Sequence, residues 1–316
     1  MNKITYILLF ATLLLAACSS DYIPDETEMD KQIELQLAIK GFSGESIIRA
    51  GFDATAEENQ IDNLCLFIQS GTTLHKYYMA GASFAGGTWE KANNKILLGL
   101  TAAQAATADV YVVANAGDIT GSITSVADLQ NHKIGTPIPW SDNIKTPLIM
   151  SGSVAGHNFT TTPILNAVSL YRAVAKVEFE VTLSEQYQST PTVTNPYTSE
   201  VIDQYKYQLL NFDKQTYLLK PTAKPNDLTN SVGWTVWNAT FGDKLSAYTL
   251  TSGKVTKLSF VTYLNERASG ALTTLMVQLP YWDAGMPPPQ FLEEGYPVKL
   301  PIVIERNHYY KVAVSL

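Results

Sequence analysis

The sequence predicts an all-β protein of the sandwich type. Short runs of alternating apolar and polar residues recur about every 8–12 residues, turn-forming residues stand between them, and helix-forming stretches are almost absent. No short-period repeat runs through the chain, which counts against propellers and solenoids. Of its 316 residues 46% are apolar and 16% charged. That is enough for two domains of ~150 residues, each with its own core.

Residues 1–18 read as an export signal, with Lys3 at a positive start, an apolar stretch over 7–15 and small residues before Cys18. The stretch is too short to remain in a bilayer as a spanning helix. Leu15-Ala16-Ala17-Cys18 resembles the lipobox of bacterial lipoproteins, which makes Cys18 the expected lipid-modified N-terminus. Residues 19–30 are acidic, contain Pro24 and read as a disordered tether.

The first strand follows. Ile33, Leu35, Leu37 and Ile39 alternate with Gln32, Glu34, Gln36 and Lys40, the period-two pattern of a strand with one buried and one wet face. A Gly/Ser-containing segment over 41–46 then leads to Ile47-Ile48-Arg49-Ala50, read as an exposed loop with one arginine. Two roles fit the pattern: an ordinary first strand, or a removable plug. Each buried aliphatic side chain is worth ~1.5–3 kcal/mol. Losing all four costs roughly 6–12 kcal/mol, against about 5–15 kcal/mol for a whole domain.

Further along, 61–68 and 76–79 read as a hairpin across 69–73, and 95–98 as a strand. Residues 102–108 have helix propensity but little length. Residues 109–116 form an apolar central strand. A short helix is expected over 125–131, with Ser125 as N-cap and Asp128 at the third helical position. Residues 148–153 look like a strand entering a turn. The second half is expected to open with a strand over 168–181, in which Val177, Phe179 and Val181 share a face. Residues 205–217 read as a hairpin-like pair, and Trp234 and Trp237 as part of a short strand. Later strands are expected at 257–264, 272–280, 298–303 and 308–316, and Pro287-Pro288-Pro289 as a stiff unpaired loop.

No catalytic site stands out. His75, His132, His157 and His308 are scattered, none at metal-ligand spacing. The chain has no nucleophile elbow, P-loop or dinucleotide fingerprint. Glu293-Glu294 and Glu266 could in principle supply paired carboxylates, but adjacent residues on a strand point to opposite faces, so Glu293 and Glu294 would not converge on one substrate and read as a solvated pair. The chain is therefore not expected to be an enzyme, and no metal or cofactor is called for. The net charge of −7 argues against nucleic acid as a partner. With Cys18 lipidated, Cys65 is the one remaining cysteine, set in an apolar strand as packing, and no disulfide forms within the mature chain.

Several stretches together resemble the fimbrillin family of the Bacteroidales, the type V pilins. They are the lipobox at Cys18, the alternating strand followed by Arg49-Ala50, VYVVAN at 110–115, MSG at 150–152, LYRAVAKV at 170–177 and ERNHYYKV at 305–312. The resemblance implies two tandem transthyretin-like β-sandwich domains, 31–166 and 167–316. It also implies an outer-membrane lipoprotein cut by an arginine-specific protease, here at Arg49–Ala50. Lipid and first strand, with Ile33, Leu35, Leu37 and Ile39, would leave together. A strand from a neighbouring subunit would then fill the vacancy, which is β-augmentation serving assembly. The implied partners are other fimbrial subunits, the protease and, before processing, the membrane. The implied destination is a cell-surface fimbrium with a role in adhesion. Shaft members usually continue past the closing strand, whereas this sequence stops at Leu316, so a tip or minor subunit is expected. A lipid-retaining anchor is a further option. A reading of another class is a monomeric surface lipoprotein that keeps its first strand and binds carbohydrate or a host ligand through Trp234, Trp237, Tyr281 and Trp282.

Overall fold

The computed structural model describes residues 31–43, 54–135, 146–195, 198–242, 245–268, 270–280 and 295–316. The strands in the first part of the chain are β1 (Gln32–Ile39), β2 (Leu64–Ser70), β3 (Thr73–Met79), β4 (Ser83–Phe84), β5 (Gly87–Glu90), β6 (Lys95–Thr101), β7 (Thr107–Ala114), β8 (Lys133–Gly135), β9 (Met150–Asn158) and β10 (Ile164–Arg172). They are followed by β11 (Val174–Thr182), β12 (Thr192–Thr194), β13 (Val201–Asp203), β14 (Lys206–Leu210), β15 (Phe212–Asp213), β16 (Gln215–Tyr217), β17 (Leu228–Thr229) and β18 (Thr235–Val236). The last are β19 (Ser246–Thr251), β20 (Lys254–Asn265), β21 (Thr274–Gln278), β22 (Tyr296–Lys299) and β23 (Tyr309–Ser315).

Strands of the first part form a nine-stranded sheet of order β3-β2-β7-β9-β10-β1-β6-β5-β4. It folds at a corner, because β9 and β10 pair only through Tyr171 with Ser151 and Arg172 with Met150. Beyond that corner one layer, β10-β1-β6-β5-β4, faces the other, β3-β2-β7-β9. Ile33, Leu35, Leu37, Ile96, Leu98, Val168 and Leu170 from the first layer share a core with Leu64, Leu66, Ile68, Val110 and Val112 from the second. At the corner the two backbones nearly touch: a Cβ at Gly152 would stand 2.1 Å from the carbonyl oxygen of Ser169.

The run Leu64-Cys65-Leu66-Phe67-Ile68 is fully buried on both sides of β2. Its second face, Cys65 and Phe67, meets Val113, Ile123, Leu129, Leu218 and Leu219. A strand covered on both faces reads as a continuous apolar run rather than an alternation. The helix that provides Leu129, Val126–Asn131, starts with the expected capping box, Ser125 and Asp128 each accepting from the other's backbone N–H. Cys65 is packing material as expected, its thiol pushed up to about 11 mainly by burial.

The second part is also a two-layer sandwich, with β19-β20-β11-β23 facing β18-β14-β21-β22. β11 is antiparallel to β20 from Val174–Asn265 to Thr182–Lys257 and parallel to β23 from Lys176–Tyr309 to Thr182–Ser315. Val177, Phe179 and Val181 point inward together, as their alternation requires, toward Tyr207, Leu209, Leu275 and Val277. Phe260 lies 5.1 Å from the Tyr207 ring and 6.0 Å from Phe179, both in tilted or edge geometry.

Two expectations change. The division at 166/167 would cut through β10, whose ladder with β1 runs from Ile164 to Leu170, so the chain passes between sandwiches after Arg172. Residues 205–217 do not form a hairpin either. β14 pairs with β18 and β21. The chain then turns at Asn211, φ 57°, and β16 crosses to pair with β8 of the first part. Local turn residues looked like a hairpin, but the partner strands came from far along the chain.

Candidate functional site

β1 is an inner strand. It runs parallel to β10 on one side, with Leu37 opposite Val168 and Ile39 opposite Leu170, and antiparallel to β6 on the other, with Leu35 opposite Ile96. Ile33 and Leu35 are fully buried and Leu37 nearly so, whereas Ile39 is only partly buried at the end of the core. On the wet face, Glu34 pairs with Lys95 at 2.7 Å, and this hydrogen bond is the main reason the Lys95 ammonium is raised from its ordinary value.

The chain keeps ladder contacts beyond β1. Lys40 N–H donates to Leu170 O at 3.0 Å, Ser43 N–H to Asn307 O at 2.9 Å, and Tyr309 N–H to Ser43 O at 2.8 Å. Residues 40–43 therefore leave the first sandwich and lie beside the start of β23 in the second. Phe42 is buried among Leu148, Val174 and Tyr309.

Beneath this crossing lies Arg172, the last residue of β10 and fully buried. Its Nη1 donates to Lys40 O at 2.8 Å and to Asn307 Oδ1 at 2.9 Å, and its Nε donates to Glu58 O at 3.1 Å. Nη2 reaches Asn59 Oδ1. The guanidinium carbon stands 4.3 Å from the centre of the Phe42 ring. Asn307 is held in turn by donating from Nδ2 to Gly41 O at 2.6 Å. Every acceptor of this guanidinium is thus a neutral oxygen. Burial lowers Arg172 from its ordinary value, and the nearby Glu58 carboxylate acts in the opposite direction.

Glu58, 1% exposed, binds the second sandwich. Its carboxylate takes hydrogen bonds from Tyr263 OH at 2.6 Å and Thr55 N–H at 2.8 Å and pairs with Lys176 Nζ at 2.8 Å. Burial raises it, but these bonds together outweigh burial and leave it below its ordinary value. Glu58, Arg172 and Asn307 form one polar seam between the sandwiches, with the end of the first strand laid across it.

Arg172 and Asn307 lie inside stretches already singled out, yet their joint role was not legible. The available signal was a lone arginine within the apolar run 168–177. Glu58 sits in a polar stretch with no such contrast. Glu266 is buried and gripped by Arg306, whose Nε donates to Oε2 at 2.9 Å. Among the described residues no cluster of His, Cys, Asp or Glu could hold a metal ion.

Cys18, Arg49 and Ala50 lie outside the described residues, as do Tyr281, Trp282, Glu293 and Glu294. The aromatic platform expected for a ligand-binding reading is not available at Trp237. That side chain is buried against Tyr207, with ring centroids 4.9 Å apart, and its N–H donates to Ala247 O at 2.8 Å.

A family model described as minor fimbrium tip subunit MfA4, C-terminal, matches residues 173–315. The minor fimbrium tip subunit MfA4 of Porphyromonas gingivalis is 40% identical over 334 aligned positions, which cover 98% of this chain and 98% of that protein. Two solved structures share the fold. The C-terminally truncated tip fimbrial protein Mfa3 from Porphyromonas gingivalis has a TM-score of 0.51 at 13% identity, covering 90% of this chain and 95% of that one. A putative cell adhesion protein from Parabacteroides distasonis has a TM-score of 0.53 at 13% identity, covering 91% and 88%. With near-complete coverage at 40% identity, the chain belongs to the MfA4 family of minor fimbrium tip subunits.

Proposed function

We propose that this chain is a structural subunit of a cell-surface fimbria, placed at or near the tip, and that it joins its neighbour by strand exchange. The observation that carries the exchange is the place of β1: an inner strand with a buried apolar face, laddered to β10 on one side and β6 on the other. The tip position is supported by the name of the relative that matches over nearly the whole chain.

In this reading the precursor is held at the outer membrane by lipid on Cys18. An arginine-specific protease cuts Arg49–Ala50, and lipid and β1 depart together. Loss of Ile33, Leu35 and Leu37 alone removes about 5–9 kcal/mol of burial and leaves the β10 and β6 edges unpaired beside apolar surface. Against a domain stability of about 5–15 kcal/mol, the open state must find a replacement strand or lose its first sandwich. Cleavage therefore acts as a one-way trigger for assembly.

The test is to treat the purified precursor with an arginine-specific protease and map the cut by mass spectrometry. The expected product begins at Ala50, releases β1 when a competing strand is supplied, and then forms oligomers or takes up that strand. A chain left intact at Arg49, or a cut chain that takes up no strand and forms no assembly, would overturn the proposal. Metabolic labelling with palmitate, lost in Cys18→Ser, checks the anchor separately.

A further inference from the structure

We infer that the slot filled by residues 32–43 selects its occupant at the far end, through Arg172, and that the strand it accepts from another subunit carries an aromatic side chain where Phe42 now sits. This inference rests on the strand-exchange reading and adds the sequence that the incoming strand must have. The pattern is three inward apolar residues at alternate positions, as in Ile33, Leu35 and Leu37, with an aromatic five positions after the third.

The argument starts from the charge. A buried guanidinium does not shed its proton, so Arg172 must stay solvated by whatever surrounds it. Asn59 and Glu58 O belong to the body of the protein and remain after β1 has gone. Lys40 O and the Phe42 ring face leave with the strand, and Asn307 loses Gly41 O, the acceptor of its Nδ2. Any incoming strand restores the two carbonyls, since every residue has one. Only a side chain restores the cover over the guanidinium plane. The collar around that position, Leu148, Val174 and Tyr309, is apolar, so it admits a ring and excludes a hydrated polar group. Among apolar side chains, only an aromatic one returns a π face to the cation. Along the rest of the slot, selection is for apolar character and size. At position 42 it is for ring chemistry.

The position also matters for the joint between the sandwiches. Arg172 ends β10, Asn307 precedes β23, and Phe42 touches residues of both parts. A strand that ends short of this socket would complete the first sandwich and leave the seam open.

The experiment uses the full chain with a site-specific protease sequence placed within residues 44–53, nicked after folding. A fluorescent peptide of residues 31–43 is exchanged into the nicked protein after a denaturation–renaturation cycle, and unlabelled peptides compete for the slot, read by anisotropy. The Phe42→Tyr peptide is expected to compete like the parent. Phe42→Ala should require about 100-fold more peptide or worse, and Phe42→Leu, which keeps the apolar bulk, about 10-fold more. In an Arg172→Met acceptor the preference for Phe over Leu should vanish. Equal competition by the Phe42→Leu and parent peptides would overturn the aromatic requirement while leaving strand exchange intact. Failure of the parent peptide itself to enter would instead overturn strand exchange, and this inference with it. The peptide series uses the unmutated acceptor, so a poorly folding Arg172→Met protein would not affect it.

Discussion

Substituting Leu35 by Ala tests whether the burial pattern of the first strand sets the stability of its sandwich. Leu35 is fully buried between the two layers, opposite Ile96 on β6 and Leu165 on β10. Removing a wholly buried Leu side chain costs about 2–5 kcal/mol, with the upper end expected where the surroundings cannot collapse. An inner strand fixed on both sides by ladders leaves little room for collapse, so about 3–4 kcal/mol is expected. The neighbouring Gln36 points to the wet face and is exposed. Gln36→Ala should change stability by no more than about 0.5 kcal/mol. With a urea slope of about 1–3 kcal/mol per molar, the Leu35 variant should lose its folded signal at least ~1 M earlier. Hydrogen exchange read by mass spectrometry should place the loss in residues 54–135 and 146–172 rather than in the second sandwich. Equal effects of the two substitutions, or a Leu35→Ala midpoint within ~0.2 M of the parent, would refute the period-two assignment and with it the energetic case for exchange.

Three further outcomes are expected. Glu58 titrates below its ordinary value of 4.5, so its share of stability is complete above that pH and disappears as pH falls through the folded value. Glu58→Gln should flatten the acid limb of the unfolding curve, and an unchanged limb would show that the carboxylate is not held by Lys176 and Tyr263. Gly152→Ala places a Cβ 2.1 Å from the Ser169 carbonyl oxygen and should destabilise the first sandwich by more than about 2 kcal/mol; a neutral effect in thermal melts would contradict the close approach at the corner. Cys65, buried and pushed up to about 11, should resist thiol reagents in the folded protein and react only as β2 is exposed, so rapid labelling without denaturant would contradict its burial.

Much of the first sandwich was legible because its signals are local. The alternation in β1, the apolar runs of β2 and β7 and the Ser125 capping box all follow from residues a few positions apart. The nearly unbroken apolar character of β2 even anticipates cover on both faces. What sequence could not show is pairing set by distant segments. Nothing local says that β23 lies parallel to β11, that β16 leaves its neighbours to pair with β8, or that β10 turns the corner and carries the division between sandwiches to Arg172. The site divides in the same way. Ile33, Leu35 and Leu37 were readable as one face. The seam of Glu58, Arg172 and Asn307 was not, because its three members are separated by more than a hundred residues each and their value lies only in meeting. Trp237, which looked available for a ligand, is spent on Tyr207 and Ala247.

The two walls beside β1 run in opposite directions, since β10 accepts a parallel neighbour and β6 an antiparallel one. Whatever strand fills such a slot makes two unlike ladders at once, evenly spaced slanted bonds on its parallel side and alternating narrow and wide pairs on its antiparallel side. If β1 is exchanged as proposed above, each joint sets a groove of one subunit against a strand of its neighbour, and a filament of such joints has two unlike ends.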